Sequence, residues 1–137
     1  MQKIDLLTAT VTFKNNVIYV IFKEVPEVPA TEILAIIKAC QEFSKGKPFC
    51  VLTDMRNFIE VTPEGRELAA DRSRNPNLIA NAVLVKKLGA RLHAGVFQEV
   101  NRPQHLIEIF NDENEALEWL RAQQKKAEKS KIRVSNK

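Results

Sequence analysis

Residues 8–14 alternate strictly: Ala9, Val11 and Phe13 fall on one side, Thr8, Thr10 and Thr12 on the other. That two-residue period predicts a strand with one covered face. Asn15-Asn16 follows, and Asn tolerates the positive φ that a two-residue hairpin turn requires. Residues 17–23 are apolar on both sides, so this second strand is expected between neighbours while the first lies nearer an edge. A proline-punctuated loop over residues 24–29 leads to a helix, with Thr31 as the expected cap. Ile33, Ile36, Ile37, Cys40 and Phe43 repeat at helical spacing. Lys45-Gly46-Lys47-Pro48 supplies the stop.

The second half repeats the theme without the hairpin. Residues 49–53 are a short, wholly apolar run with the character of a parallel strand covered on both sides. Thr62-Pro63-Glu64-Gly65 starts a helix, with a capping hydroxyl, Pro at the first helical position and an acid near the positive dipole end. This helix is expected to reach about residue 72 and to stop near Asn75-Pro76-Asn77. Residues 79–85 predict a fourth strand. Leu88, Leu92, Val96 and Val100 predict a helix over residues 88–100, which Gly89 and Gly95 weaken. Residues 106–110 predict a fifth strand, and Asp112 with Glu115 form a capping box for a last helix carrying Ala116, Leu117, Trp119 and Leu120. The order is β-β-α-β-α-β-α-β-α. It implies an α/β fold: a mostly parallel sheet with an N-terminal antiparallel hairpin and helices covering the sheet.

Charge changes the picture in one place. The 137 residues carry a formal charge of +4, yet residues 121–137 alone hold +6 and the remainder −2. The expectation is therefore a slightly acidic domain over residues 1–122 and a basic, flexible tail over residues 123–137. Nucleic-acid binding is disfavoured, because a domain that grips phosphates clusters its cations on a folded face. No apolar stretch approaches the roughly 20 residues of a membrane span, and the first residues lack the features of a signal peptide, so a cytoplasmic location is expected. Cys40 and Cys50 read as buried small hydrophobes of a reducing compartment, without metal-binding spacing.

The search for chemistry finds little. The four glycines stand apart, no Gly-rich phosphate loop or nucleophile elbow occurs, and no serine has an evident base beside it. His93 lies in a helical stretch and His105 in a loop; a catalytic role would need an acid and a nucleophile to converge on one of them. No catalytic residue, metal site or cofactor is therefore assigned. The most informative stretch is Leu52-Thr53-Asp54-Met55-Arg56, an acid and an arginine at the carboxyl end of an apolar strand, where open α/β sheets bind ligands. Lys86 leaves the next strand with Arg91 a turn later, and Thr62 and Glu64 stand at a helix N-terminus. These residues either line a crevice for a small anion or a partner's acidic side chain, or Asp54 and Arg56 brace each other and the loop amides nearby.

The run Pro48-Phe49-Cys50-Val51-Leu52-Thr53-Asp54-Met55-Arg56, with Arg66, Ala69-Ala70, Asn81-Ala82-Val83-Leu84-Val85, Phe110 and Glu115-Ala116-Leu117-Glu118-Trp119-Leu120, resembles a family of small uncharacterised bacterial proteins. They are described as STAS-like or SpoIIAA-like, with a fold related to Sec14-type lipid carriers. The resemblance implies a non-enzymatic regulatory module that binds a protein partner. In STAS domains of the anti-sigma factor antagonist type, a serine at the start of the helix after the central strand is switched by phosphorylation, in an Asp-Ser-Ser-Gly-like motif. The matching position here is Thr62-Pro63-Glu64-Gly65: the glycine fits, no serine is present, and Glu64 carries a fixed negative charge. The alternative is a small carrier or sensor of an apolar or anionic ligand. A homodimer is the expected assembly for such a domain.

Overall fold

The computed structural model describes residues 2–57, 60–86 and 106–135. The expected helix over residues 88–100 lies outside them. Six strands form the main sheet in the order β1-β2-β3-β5-β7-β8: β1 (Gln2–Asp5), β2 (Ala9–Lys14), β3 (Val17–Phe22), β5 (Phe49–Asp54), β7 (Leu78–Leu84) and β8 (Leu106–Phe110). β2 pairs antiparallel with β1 on one side and β3 on the other, and from β3 onward every pairing is parallel. The mixed sheet is thus the one expected. β4 (Glu27–Val28) and β6 (Glu60–Val61) make a separate two-stranded parallel pair.

The β2–β3 hairpin closes on Asn15 and Asn16 at φ 51° and 65°, so both turn residues take the left-handed conformation that matches the twist of the flanking strands. β1 was not foreseen. It is four residues long with one apolar side chain pointing inward, too short for a period to register, and it adds an outer neighbour to β2.

α1 (Ala30–Ser44) buries Ile33, Ile36, Ile37, Cys40 and Phe43 as their spacing predicts. Its cap is a correction: Pro29, not Thr31, is the N-cap, and it makes no side-chain hydrogen bond. Glu32 ties the first turn down instead, accepting hydrogen bonds from the Thr8 amide at 3.1 Å and the Thr8 hydroxyl at 2.8 Å. At the other end Lys45 takes φ 52° and Gly46 φ 78°, and the Lys45 amide donates to the Gln41 carbonyl, closing the helix as its Gly-Pro ending suggests.

α2 (Pro63–Ala70) starts as expected: Thr62 Oγ1 accepts from the Gly65 amide at 3.1 Å, and Pro63 opens the helix. It ends at Ala70, short of residue 72, and a 3-10 turn over Arg72–Arg74 follows. Gly65 lets α2 approach its surroundings closely. A Cβ there would meet Val61 Cγ1 at 2.9 Å and Ile33 Cγ1 at 3.1 Å.

α3 (Glu113–Ser135) opens on Asp112, whose carboxylate accepts from the Asn114 amide at 2.8 Å and the Glu115 amide at 3.2 Å. The helix continues unbroken past residue 122, the expected domain boundary. Gln123 is buried and Gln124 donates to the Asn16 carbonyl at 2.9 Å, so part of the segment assigned to the tail packs against the domain. None of the described helices is long and apolar enough to cross a membrane.

The helices divide the core in two. On one side of the sheet α1 and α2 cover Ala9, Val11, Ile18, Val20, Phe49 and Val51. On the other, Ala116 and Leu120 of α3 cover Val17, Cys50, Leu52, Ala80, Ala82 and Leu84, and Trp119 packs its ring 5.7 Å from that of Phe110. Cys40 and Cys50 therefore sit on opposite sides of the sheet, both unbridged and buried. Burial pushes the Cys40 thiol up to about 12 and the Cys50 thiol up to about 11.

Candidate functional site

The parallel strands β3, β5, β7 and β8 all end on one rim of the sheet. Along β5 the side chains alternate, so Cys50, Leu52 and Asp54 share the α3 side. Asp54 is the last of them and remains buried, at 7% exposure. A carboxylate so placed needs partners, because desolvation without them is costly. Among the described residues Arg56 supplies them. Its backbone amide and Nε each donate to Oδ1 at 3.0 Å, Nη2 donates to Oδ2 at 2.7 Å, and Nε also reaches Oδ2 at 3.2 Å. This is the paired-fork geometry that makes arginine–carboxylate contacts strong. The Asp54 hydrogen bond is the main cause that raises the Arg56 pKa above its ordinary value, and burial opposes it. Of the two readings open at this exit, the mutual brace is the arrangement present.

Arg56 does more than brace. Its Nη2 stands 3.4 Å from Glu113 Oε1 at the start of α3, linking the β5 exit to the helix that covers it. About half of each side chain is open to solvent, 47% in both cases. Asn57 then pins the loop by donating from Nδ2 to the Phe22 carbonyl at 3.1 Å. Tyr19, on β3 beside Leu52, has its pKa raised by burial first and by the Glu113 charge second, with Arg121 opposing.

The other expected site residues are only partly brought here. Lys86 leaves β7 at the same rim and is exposed. It pairs with neither Asp54 nor Glu113. Thr62 and Glu64 belong to α2, which packs with α1 on the opposite side of the sheet. Thr62 is occupied as a cap, and Glu64 is exposed in the first turn. A single crevice uniting these residues with Asp54 is therefore not formed by the described residues. Arg91, His93 and His105 lie outside them. Among the described residues no group of His, Cys, Asp and Glu could hold a metal ion.

Sequence reasoning missed Glu113 and Tyr19. The capping box at Asp112 signalled a helix start near the strand ends, but the Arg56–Glu113 contact joins residues 57 positions apart, and no local pattern encodes that. It also missed a second polar cluster on the same rim, at β1. Lys23 Nζ lies 2.8 Å from Asp5 Oδ1 and donates to the Leu6 carbonyl at 2.6 Å, while Thr10 Oγ1 donates to Asp5 Oδ1 at 3.1 Å.

Comparison with known proteins agrees with this architecture. The chain is similar to the crystal structure of an uncharacterised protein of the DUF3478 family with a SpoIIAA-like fold from Shewanella loihica PV-4. The TM-score is 0.56 at 14% identity, over 82% of this chain and 91% of that one. At that identity the likeness establishes the fold, and the SpoIIAA-like resemblance stands at that level. No curated protein matches the sequence. A family profile described as a domain of unknown function, DUF7793, matches residues 11–124, from within β2 into α3. The chain belongs to this DUF7793 family.

Proposed function

We propose that the chain is a non-enzymatic protein-interaction module of the STAS kind, regulatory in role and working without a serine phospho-switch. The observation that supports this most is the consumption of Asp54 by Arg56. A general acid or base needs a carboxyl free to exchange a proton with a substrate. Both oxygens of Asp54 are instead fixed by a guanidinium two residues away. What the pair leaves to solvent is its cationic half. Arg56 is half exposed, its Nη1 makes no hydrogen bond among the described residues, and Glu113 stands alongside. A planar fork with open donors next to an acid suits a partner's carboxylate.

The first turn of α2 supports the second part of the reading. The Thr62 hydroxyl is engaged as a cap, and Glu64 holds a permanent charge where the resemblance places a phosphoserine. The module then engages its partner constitutively.

Affinity capture from the lysate of the source organism, with wild type beside R56A and E64K, tests this. A defined protein held by wild type and recovered at least tenfold less with R56A supports the reading. Equal recovery by all three overturns it. So does a native mass spectrum in which the full chain carries a small anion and no protein.

A further inference from the structure

β1 is the terminal strand on one side of the six-stranded sheet. Lys23 donates its amide to the Thr8 carbonyl at 2.9 Å, and the two-residue turn at Asn15-Asn16 closes the same β2–β3 ladder. The even-numbered residues of β2 therefore bond to β3, and the odd-numbered ones face β1. The Leu6 amide donating to the Ala9 carbonyl at 2.8 Å agrees. With Gln2 opposite Phe13 and Ile4 opposite Val11, Gln2, Ile4 and Leu6 spend their backbone groups inward. The amides and carbonyls of Lys3 and Asp5 point out of the sheet.

We propose that this edge joins a second copy of the chain, strand β1 antiparallel to strand β1 about a two-fold axis through Ile4. The hydrogen-bonding alternation permits few symmetric registers. One sets Lys3 against Lys3 of the other copy, and another sets Asp5 against Asp5; like charges directly opposite oppose both. The register centred on Ile4 sets each Lys3 against the other copy's Asp5. It makes a backbone-bonded pair on either side of an Ile4–Ile4 contact. Here charge and backbone pattern select the same alignment.

Two further observations fit it. Lys23 and Thr10 both use Asp5 Oδ1, so Oδ2 accepts no hydrogen bond from the described residues and can receive the incoming lysine. Lys3 is exposed and forms no ion pair among the described residues. Ile4 is half-buried against the α1 side of the core, and its open flank would be covered by its symmetry mate. Two six-stranded sheets then become one continuous sheet.

Sedimentation or light scattering of the full chain from about 1 to 200 µM, within the affinity range expected of small interfaces, tests this with K3E and D5K. Wild type should reach about twice the 15.6 kDa chain mass. K3E sets Glu against Asp and D5K sets Lys against Lys, so each variant alone should dissociate at least tenfold more readily. Mixed in equal amounts they should pair with each other, since both cross-strand contacts are then of opposite sign. Circular dichroism distinguishes lost pairing from lost folding, and recovery on mixing cannot come from an unfolded chain. A wild type that stays monomeric, variants that dimerise as wild type does, or a mixture that fails to pair overturns the proposal.

Discussion

Asp54 is buried and Arg56 is half exposed, so the two sides of their ion pair are unequal in what their loss would do. Removing the guanidinium leaves the buried carboxylate with only the residue-56 backbone amide on Oδ1 and no donor for Oδ2 among the described residues. Arg56→Ala should lower stability by about 1–3 kcal/mol, the usual cost of orphaning a buried acceptor. Arg56→Lys should recover only part of it, because an ammonium cannot make the two parallel bonds. Urea unfolding of the three proteins checks this. The pair itself could be read from the sequence, as an acid and an arginine at a strand exit. Whether it braced or bound could not, since that depends on where Glu113 and the Phe22 carbonyl that holds Asn57 arrive from distant segments. The cysteines were more legible, because burial follows directly from apolar spacing. They also give a pH signature. In the unfolded chain a thiol ionises near 9, whereas Cys40 and Cys50 hold their protons to about 12 and about 11. A folded pKa raised above the unfolded one means stability is undiminished below pH 9 and declines as pH rises through 9 toward 12. Thermal melts should show Tm falling over that window. At pH 8 a thiol reagent should label neither cysteine until denaturant is added, and rapid labelling of the native protein would contradict the burial.

Elements that announce themselves do so by period or by a local hydrogen bond. α2 does the second: Thr62, Pro63 and Glu64 signalled its start, and the cap bond is in place. Thr62→Ala should therefore cost about 1 kcal/mol, the typical value for a lost cap. If the phospho-switch is absent, the same variant should leave partner capture unchanged. Gly65 is less tolerant than a cap usually is. A methyl group there would press on Val61 and Ile33 side chains that are branched and packed. Gly65→Ala should destabilise by about 1–3 kcal/mol, as overpacking does, although alanine is the better helix former. A stabilised variant in urea titration would show that α2 can shift away from α1. Elements that escaped notice lacked such signals. β1 has one inward apolar residue, and β4 and β6 are two residues each, so neither offers a period. Thr31 looked like a cap because its residue type suits one; the helix begins earlier, at Ala30, where Glu32 in its first turn is anchored to Thr8 in the bend between β1 and β2.

At the scale of the molecule, the parallel order and the two covered faces were legible because buried strands separated by helical repeats admit few topologies. The C-terminal boundary was not. Past Leu120 the chain turns basic and polar, and composition alone reads as a solvated end. Yet α3 lies across β5 and β7, and its middle is held to the domain through Gln123, buried at 9% exposure, and through the Gln124 bond to the hairpin carbonyl of Asn16. Two consequences separate if the chain is cut after Arg121. The +6 of residues 121–137 falls to the single charge of Arg121, so any weak, salt-sensitive attraction to polyanions should disappear. Stability should fall as well, because the cut removes a buried side chain and a hairpin anchor and shortens the helix that shields Cys50 and Leu52. A detachable tail would lose the first property and keep the second. A Tm lowered by several degrees, together with faster thiol labelling of Cys50 than of Cys40, would place residues 122–124 within the folded body. An unchanged Tm would return them to the tail.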